Sequence, residues 1–319
     1  MKAIILKQTG GVENLIKADL PRPTIKDNEV LVQVKYISIN PVDAVLRSDE
    51  PFLKAVLGLK PGEQPIILGW DISGVVTEAG DAVTKFKKGD EVFGMVNFPG
   101  HGKAYAEYVA APEAHLALKP ANISHAEAAA ATLTALTAWQ SLVTYGKIQA
   151  GDKVLIHSAA GGTGHYAVQL AKHFGAYVIG TGAPENRDFI LSLGADEAID
   201  YKSQPFEDVI NDADLIVDGV TFTTEHIYRS LKALRNGGRL ISLVAHFDDD
   251  FNKALSVKNI RSHRQEVESN GVQMESIAAL LASGDLKSYV SQIYSFDDMA
   301  KAHLQIETGK TRGKIVVEV

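Results

Sequence analysis

The sequence predicts an α/β protein in which a doubly wound parallel sheet is joined to a second, mainly β domain. Residues 153–181 read in order as a strand, a glycine turn, a helix and a second strand, and strands and helices alternate beyond them. The first 120 residues instead show short β-rich segments, without amphipathic stretches of helix length. Alternating elements are typical of a parallel sheet with helices on both faces, and β-rich segments of a mainly antiparallel domain.

The glycine turn predicts a dinucleotide site. It follows 153–158, a nearly continuous apolar run that is typical of a strand buried on both faces. Ala159, Gly161 and Gly164 fill the GxGxxG register, so alanine replaces the first glycine. Gly161 lets the backbone approach a pyrophosphate, and Gly164 lets the helix pack closely on the strand. The residues expected at this site are Ala160, Gly161, Gly162, Thr163 and Gly164.

The end of the second strand favours NADPH over NADH. Proteins specific for NAD usually place Asp or Glu there to bind the adenosine ribose, whereas this chain has Thr181. Without an acid to repel a 2′-phosphate, Arg187 can pair with that phosphate, although it can equally be a solvated helix residue. Tyr201, which closes the third strand, can border the adenine or be an ordinary half-buried tyrosine.

A change of texture marks the predicted domain boundary. From Ser124 the sequence is alanine-rich, which predicts a buried helix with Ser124 as N-cap and Glu127 completing a capping box. The final segment is β-rich again and can rejoin the first domain. We therefore expect one domain to comprise residues 1–123 and 285–319, and a dinucleotide-binding domain to comprise residues 124–284.

The remaining elements are assigned from hydrophobic periodicity. The other predicted strands are 3–6, 29–39, 66–79, 91–95, 106–110, 198–201, 215–218, 239–244, 289–294 and 314–319. The predicted helices beyond the glycine turn are 186–193, 206–211, 224–234, 273–281 and 297–307. The stretch 259–264 reads as an exposed edge strand, which suggests a dimer formed by strand pairing.

Composition excludes several classes of protein. The 319 residues include 45% hydrophobic and 22% charged residues, as in ordinary globular proteins, and no apolar run is long enough for a membrane helix. The absence of cysteine excludes disulfides, thiol catalysis and thiolate-bound metals. A net charge of −7 without a basic run argues against nucleic acid as a partner. No targeting signal is recognised, so we expect a cytoplasmic protein.

Several segments together resemble the medium-chain dehydrogenase/reductase superfamily, and within it the zinc-independent quinone oxidoreductase branch. They are SINPVDAVLR at 38–47, LGWDISGVV at 68–76, KKGDEVFG at 87–94, AAGGTG at 159–164, LGADEAIDY at 193–201 and GKTRGKIVV at 309–317. The resemblance covers essentially the whole chain. It implies a Rossmann cofactor domain at 124–284, a GroES-like catalytic domain from the remaining residues, and a homodimer.

The sequence departs from the zinc alcohol dehydrogenases of that superfamily. Where those enzymes have a GHExxG motif with a histidine ligand, this chain has Gly69, Trp70 and Asp71, and the cysteine ligand that would lie near Asn40 is absent. A catalytic zinc needs three protein ligands, so no metal is expected. The histidines, including His157 and His165, are better interpreted as satisfied or solvated side chains.

The absence of zinc favours acceptors that need no Lewis acid. A quinone or conjugated enone takes hydride at an electron-poor carbon and requires positioning and a hydrogen bond to its oxygen. The resemblance places Asn40, Asp43 and Thr134 near nicotinamide and substrate. Asn40 could donate to a substrate carbonyl or satisfy its own turn, and Thr134 could simply bond back to a helix carbonyl. Weaker candidates for cofactor contact are Val244, Arg312 and Lys314.

The sequence therefore predicts a reductase that passes hydride from NADPH to a quinone or an α,β-unsaturated carbonyl. Two alternatives stay open. An enoyl-thioester reductase would have the same fold and no zinc. A non-catalytic NADPH-binding protein, acting as a redox sensor or regulatory subunit, would bind the cofactor without turnover.

Overall fold

The chain forms two compact units. The computed structural model describes residues 1–60, 62–220 and 224–319, with only the backbone of Thr224. Met1–Leu136 and Val267–Val319 form one unit, here called the terminal unit, and Thr137–Glu266 form the central unit. No helix within these described ranges has the length and apolar character to cross a membrane.

The strands of the described residues are β1 (Lys2–Leu6), β2 (Leu15–Asp19), β3 (Glu29–Ile39), β4 (Ile66–Ile67), β5 (Asp71–Ala79), β6 (Glu91–Met95), β7 (Tyr108–Pro112), β8 (Leu116–Leu118), β9 (Lys153–Ile156), β10 (Tyr177–Gly182), β11 (Glu197–Asp200), β12 (Ala213–Asp218), β13 (Leu234–Ser242), β14 (Arg261–Arg264), β15 (Val290–Ser295) and β16 (Lys314–Glu318).

The α-helices are α1 (Pro41–Ser48), α2 (Glu50–Leu57), α3 (His125–Ala130), α4 (Leu133–Trp139), α5 (Gly162–His173), α6 (Arg187–Ser192), α7 (Thr224–Ala233), α8 (Asp249–Val257), α9 (Gly271–Ser283) and α10 (Met299–Glu307). A π-helix covers Gln140–Tyr145. The 3-10 helices are Val12–Asn14, Glu113–His115, Pro184–Asn186, Phe206–Asp208 and Phe296–Asp298.

The terminal unit is built around the long strand β3. Its larger sheet has the order β15-β16-β3-β5-β6-β8, with β7 also paired to β3, and a smaller sheet has the order β2-β1-β4. All pairs that involve β3 are antiparallel. Val30, Val32, Ile37 and Ile39 of β3 are fully buried or nearly so, because strands or helices cover both of its faces. β3 therefore fixes the position of whatever follows its carboxyl end.

The central unit contains a parallel sheet of the described strands in the order β11-β10-β9-β12-β13-β14. The chain runs outward from β9 to β11 on one side and from β12 to β14 on the other. This reversal of direction makes the carboxyl ends of β9 and β12 a topological switch point, where ligands bind in open α/β sheets. The apolar core of the sheet includes Leu155, Ile179, Ile216 and Leu240. The predicted doubly wound sheet is confirmed, with β14 at its edge.

Two sequence predictions about helices were wrong in the terminal unit. α1 and α2 lie within the first 120 residues, where no helix was expected, because each has only eight residues and begins with a proline in its first turn. The alanine-rich stretch has the predicted capping box of Ser124 and Glu127 but no single long helix. It breaks after Ala130, where the Thr132 hydroxyl donates to the Ala129 carbonyl at 2.8 Å.

Two further predictions were wrong in detail. The predicted strand 66–79 is two strands, because Gly69 between β4 and β5 has a φ of 86° that ends the extended run. The predicted helix 206–211 is only a 3-10 helix at Phe206–Asp208, followed by one turn that the Ile210 N–H closes on the Phe206 carbonyl at 2.9 Å. Both errors come from backbone geometry that an apolar pattern does not report.

The compact units differ in extent from the predicted domains. The predicted boundaries follow residues 123 and 284, whereas the packing changes after Leu136 and Glu266. α3 packs on β3 and β5, and α9 packs beside β8, so both helices belong to the terminal unit. The functional division into catalytic and cofactor domains stays a prediction.

Candidate functional site

Asn40 lies where β3 ends and α1 begins. Its extended backbone (φ −126°, ψ 157°) places it at the N-cap of the helix, and its N–H donates to Asp43 Oδ2 at 2.7 Å. Asn40 is buried, and its capping box with Asp43 fits one of the two roles that the sequence allowed, that of satisfying its own turn.

The Asn40 amide joins a lysine and an aspartate. Its Nδ2 donates to Asp71 Oδ2 at 2.8 Å, and its Oδ1 accepts from the Lys314 ammonium. The second Asp71 oxygen accepts from the Leu133 backbone N–H at 3.0 Å, and Lys314 also donates to the Ile39 carbonyl at 3.0 Å. All these side chains are buried. We call Asn40, Asp71 and Lys314 the amide clamp.

Strand register brings the clamp together. Asp71 is the first residue of β5, Lys314 is the first of β16, and both strands are antiparallel neighbours of β3. Ser38 pairs with Asp71 and Ile39 pairs with Ile315. The carboxyl end of β3 therefore meets the starts of both neighbours, which lie 31 and 274 residues from Asn40 in sequence.

Burial shifts the pKa values of the charged groups around Asn40. It raises the pKa of Asp43 to about 7, an effect that the Asp71 charge increases and the Asn40 N–H and Tyr105 hydroxyl oppose. The pKa of Asp71 is also raised by burial, against the lowering effects of Lys314 and Asn40. Burial lowers the pKa of Lys314 to about 8, although both carboxyl groups favour its charged form.

A second buried contact extends from Asp43. The Tyr105 hydroxyl and His303 Nε2 share a hydrogen bond at 3.0 Å, and burial together with the Arg47 charge lowers the pKa of His303 to about 3. Arg47 itself donates to the Gly10 carbonyl and pairs with Glu307. The terminal unit thus holds an interior row of ionisable groups beginning beside Asn40.

The positions that resemble zinc-ligand positions hold no such ligands here. Trp70 is buried, and its indole nitrogen donates to the Gly100 carbonyl at 2.8 Å, a nitrogen that can only donate. The Asn40 amide is engaged by Lys314 and Asp71. In the described ranges, the metal-compatible grouping of His, Cys, Asp or Glu is His157, Asp218 and His226 in the central unit.

Thr134 is buried near the start of α4. Its hydroxyl donates to the Ala130 carbonyl at 3.3 Å, four residues earlier. This back-bonding to a carbonyl is one of the two roles that the sequence allowed. A role of Thr134 beside a nicotinamide stays a prediction.

The glycine turn of the central unit has the form that the motif predicts. The Ala159 N–H donates to the Thr181 carbonyl at 2.9 Å and the Gly161 N–H to the Ser158 carbonyl at 2.8 Å, with Ser158 at a φ of 53°. Gly161 is the N-cap of α5, whose first turn has neither a side-chain cap nor an acidic residue. Backbone N–H groups at such a helix start can bind an anion such as a pyrophosphate.

Of the three residues proposed around the adenosine, Thr181 and Tyr201 lie at the ends of neighbouring strands and Arg187 begins the helix between them. The three differ in exposure. Thr181 is buried near the end of β10, and its hydroxyl bonds His157 Nδ1 at 3.0 Å. The side chain of Arg187, at the start of α6, is 63% exposed, with a loose 3.8 Å approach to Asp188. Tyr201 is 54% exposed, next to Gly182 through a 3.3 Å backbone hydrogen bond. Val244 is half-buried just beyond β13.

Sequence reasoning missed a hydrogen-bonded chain behind this strand end. Asp218 Oδ2 accepts from His226 Nδ1 at 2.9 Å and from the Ser230 hydroxyl at 2.7 Å. Because Ser230 gives its proton to Asp218, its oxygen accepts from His157 Nε2 at 3.2 Å, and neutral His157 then accepts from Thr181 at Nδ1.

Burial and hydrogen bonds define the charges of this chain of groups. Burial lowers the pKa of His157 to about 4. Burial would raise the pKa of Asp218, but His226, His157 and Ser230 together lower it to about 2. The ligand atoms of His157, Asp218 and His226 lie within 4.8 Å of one another, yet each already has a hydrogen-bond partner. Both ring nitrogens of His157 have hydrogen-bond partners, so His157 is a satisfied histidine, as the sequence favoured. No spacing in the sequence signals the set, because it is assembled from three elements.

Comparison with known proteins extends these observations. The alcohol dehydrogenase GroES-like domain matches residues 26–121, which confirms that part of the predicted fold, and the zinc-binding dehydrogenase model matches residues 193–317.

The NADPH-dependent alkenal/one oxidoreductase, chloroplastic, of Arabidopsis thaliana is 34% identical over 99% of this chain and 79% of its own length. The 2-methylene-furan-3-one reductase of Solanum lycopersicum is 33% identical over 99% of this chain and 79% of its own length. The solved quinone oxidoreductase from Coxiella burnetii has a TM-score of 0.91 and 33% identity, covering 100% of this chain and 99% of that chain.

The glycine turn makes a prediction about Gly164 and Gly161. A Cβ added at Gly164 would lie 2.2 Å from the Ser158 carbonyl oxygen, so backbone must move, whereas at Gly161 the same atom would be 3.2 Å away. Gly164→Ala should destabilise the protein by about 2 kcal/mol or more, and the matched control Gly161→Ala by less than about 1 kcal/mol. Thermal unfolding without cofactor measures both. Equal losses would show that close packing does not explain Gly164.

The lowered pKa of His303 predicts a pH-dependent stability. Below about pH 6.5, unfolded histidine binds a proton that folded His303 does not, until the pH reaches its folded pKa of about 3. In that window wild type should lose roughly 1.4 kcal/mol per pH unit relative to His303→Gln. Between pH 7 and pH 5 the stability gap between the two proteins should therefore narrow by about 2 kcal/mol. Denaturant unfolding at both pH values tests this, with the exposed His246→Gln as control. A constant gap would contradict it.

Proposed function

The chain belongs to the quinone oxidoreductase branch of the medium-chain dehydrogenase/reductase superfamily, and from that premise we propose that it passes hydride from NADPH to a quinone or an α,β-unsaturated carbonyl without a catalytic metal. The relatives supply the reaction class, since one is named for alkenal and alkenone reduction and another for quinone reduction. The observation in this chain that supports the proposal is the buried Asn40 amide, which bonds Lys314 and Asp71 near the place where the zinc enzymes have a cysteine ligand.

Binding of the cofactor is assigned to the central unit. The uncapped first turn of α5, at Gly162, Thr163 and Gly164, would hold the pyrophosphate through backbone N–H groups. Arg187 is exposed, and among the described residues its anionic contact is the loosely placed Asp188, so its guanidinium is available for a 2′-phosphate. The strand end carries Thr181 rather than an acid, and Thr181 is turned inward to His157. These features favour NADPH, which when bound supplies the hydride at its nicotinamide.

Reduction is assigned to the terminal unit. As hydride reaches an electron-poor carbon, negative charge develops on the substrate oxygen, and a positioned N–H donor stabilises that charge. The Asn40 amide can be such a donor, because it is held in the interior by partners on both sides. With Trp70 as a donor only, and the Asn40 and Asp71 side chains already engaged, the residues at this place do not form a three-ligand zinc site.

We also propose a cytoplasmic homodimer. β14 is the edge of the parallel sheet, and Arg261 and Ser262 on it are exposed. An open strand edge can pair with the same edge of a second copy across a twofold axis. Light scattering would measure the mass in solution, and a monomer at micromolar concentration would exclude this pairing.

Turnover with a panel of acceptors tests the proposed reaction. We expect NADPH oxidation with quinones and small enones, unaffected by chelators, and a loss of about 10- to 1000-fold in kcat for Asn40→Ala. Ser48→Ala, a change on the exposed end of α1, is the control. Micromolar NADPH binding with no turnover of any acceptor would instead favour a non-catalytic NADPH-binding protein, and turnover of an enoyl thioester alone would favour that class of reductase.

Cofactor choice is tested at Arg187. Charge-assisted pairing with the 2′-phosphate predicts a loss of about 10- to 100-fold in NADPH affinity for Arg187→Ala, with NADH affinity unchanged. Lys253→Ala removes an exposed positive charge from α8 of the same unit and should change neither affinity. Titration by nicotinamide fluorescence gives all six dissociation constants, for three proteins and two cofactors. Equal wild-type affinity for the two cofactors would contradict the choice of NADPH.

A further inference from the structure

We propose that Lys314 is a positioning residue that fixes the amide of Asn40 for the substrate oxygen and does not contact the cofactor. The inference rests on the proposed reduction at Asn40. It departs from the weaker expectation, drawn from the sequence resemblance, that Lys314 contacts the cofactor.

The two partners of Asn40 define which way its amide points. Lys314 is an ammonium that can only donate, so it must face the amide oxygen, and an ionised Asp71 can only accept, so it must face the amide nitrogen. Rotating the amide by half a turn would place N–H against N–H and oxygen against oxygen. Since both contacts would become repulsive, charge on either side holds a single orientation.

The same contacts leave one amide hydrogen for a ligand. Nδ2 carries two hydrogens, and Asp71 takes one of them. Among the described residues Nδ2 makes no second hydrogen bond. The ammonium on Oδ1 polarises the amide and makes the remaining N–H a stronger donor, because hydrogen bonds in series strengthen one another. Lys314 therefore acts on the reaction through Asn40.

Lys314 is not placed to bind a phosphate. Its ammonium already donates to the Ile39 carbonyl and to Asn40 Oδ1, so a phosphate would have to displace these partners. Asp71 and Asp43 both lie near enough to favour its charged form, so its charge is matched within the terminal unit. Lys310, four residues earlier, is exposed.

Lys314→Met tests the assignment, because methionine has a similar length without charge. We expect kcat to fall about 10- to 100-fold at saturating NADPH, with the Kd for NADPH within about threefold of wild type. A phosphate-binding lysine would give the reverse, a raised Kd with kcat preserved. Lys310→Met is the matched control and should leave both constants unchanged.

A cycle of variants separates positioning from mere structural support. Lys314→Met leaves Asp71 buried without its cation, so the protein could lose stability for that reason alone. Adding Asp71→Asn removes this uncompensated charge and should restore thermal stability without restoring kcat. In an Asn40→Ala background, Lys314→Met should lower kcat by less than about twofold, since the group it positions is gone.

The outcomes also separate this inference from the proposed function. If wild type oxidises NADPH with quinones while Lys314→Met keeps its kcat, the positioning role is wrong and the reductase stands. Recovery of kcat together with stability in the double variant would equally overturn it. If wild type turns over no acceptor, the proposed function itself fails.

Discussion

The terminal unit depends on burying one ammonium together with two carboxyl groups. Lys314, Asp43 and Asp71 are all withdrawn from water, and each buried ion costs several kcal/mol unless it is paired and hydrogen-bonded. The neutral amide of Asn40 offsets part of this cost, since its oxygen accepts from the ammonium and its nitrogen donates to a carboxylate. The groups come from the end of β3 and from the starts of β5 and β16. A slip of one residue in either pairing would turn a charged side chain to the other face of the sheet and leave its partners uncompensated.

A related constraint applies at the switch point of the central unit. His157 follows β9, Thr181 lies near the end of β10, and Asp218 ends β12. Parallel pairing brings these ends to one edge, where a hydrogen-bonded chain satisfies every one of them. The buried Asp218 carboxylate accepts from His226 and Ser230, both on α7, so the chain of contacts also ties that helix to the sheet. The hydrogen bonds among these side chains therefore fix the arrangement of the strand ends that would meet a cofactor.

Local sequence patterns predicted most of the fold, but they did not predict the hydrogen bonds between the side chains of the candidate site. The glycine turn, the alternation after it and the capping box of Ser124 are written in adjacent residues, so they could be predicted. The two short helices after Asn40 and the break at Gly69 depend on a few dihedral angles, which apolar periodicity does not encode. The motif segments with Asn40, Asp71 and Lys314 were each recognisable. Their mutual contact was not, because it arises from β3 pairing with strands that are distant in sequence.

Under the proposed function, the group that meets the substrate oxygen is an amide and not a metal, which limits what the terminal unit can stabilise. A Lewis acid stabilises an alkoxide strongly enough to help remove a hydroxyl proton, and a neutral N–H donor does not. A donor does suffice where the substrate brings its own electron-poor carbon and develops charge on an oxygen only as hydride arrives. In the proposed mechanism the neighbouring charges strengthen that donor without joining the reaction, since Lys314 and Asp71 contact the amide on opposite sides. Burial of the amide clamp costs free energy, but it also excludes water and so lowers the local dielectric constant. Electrostatic interactions are stronger at a lower dielectric constant, and a single amide can then have a measurable effect on a reaction rate.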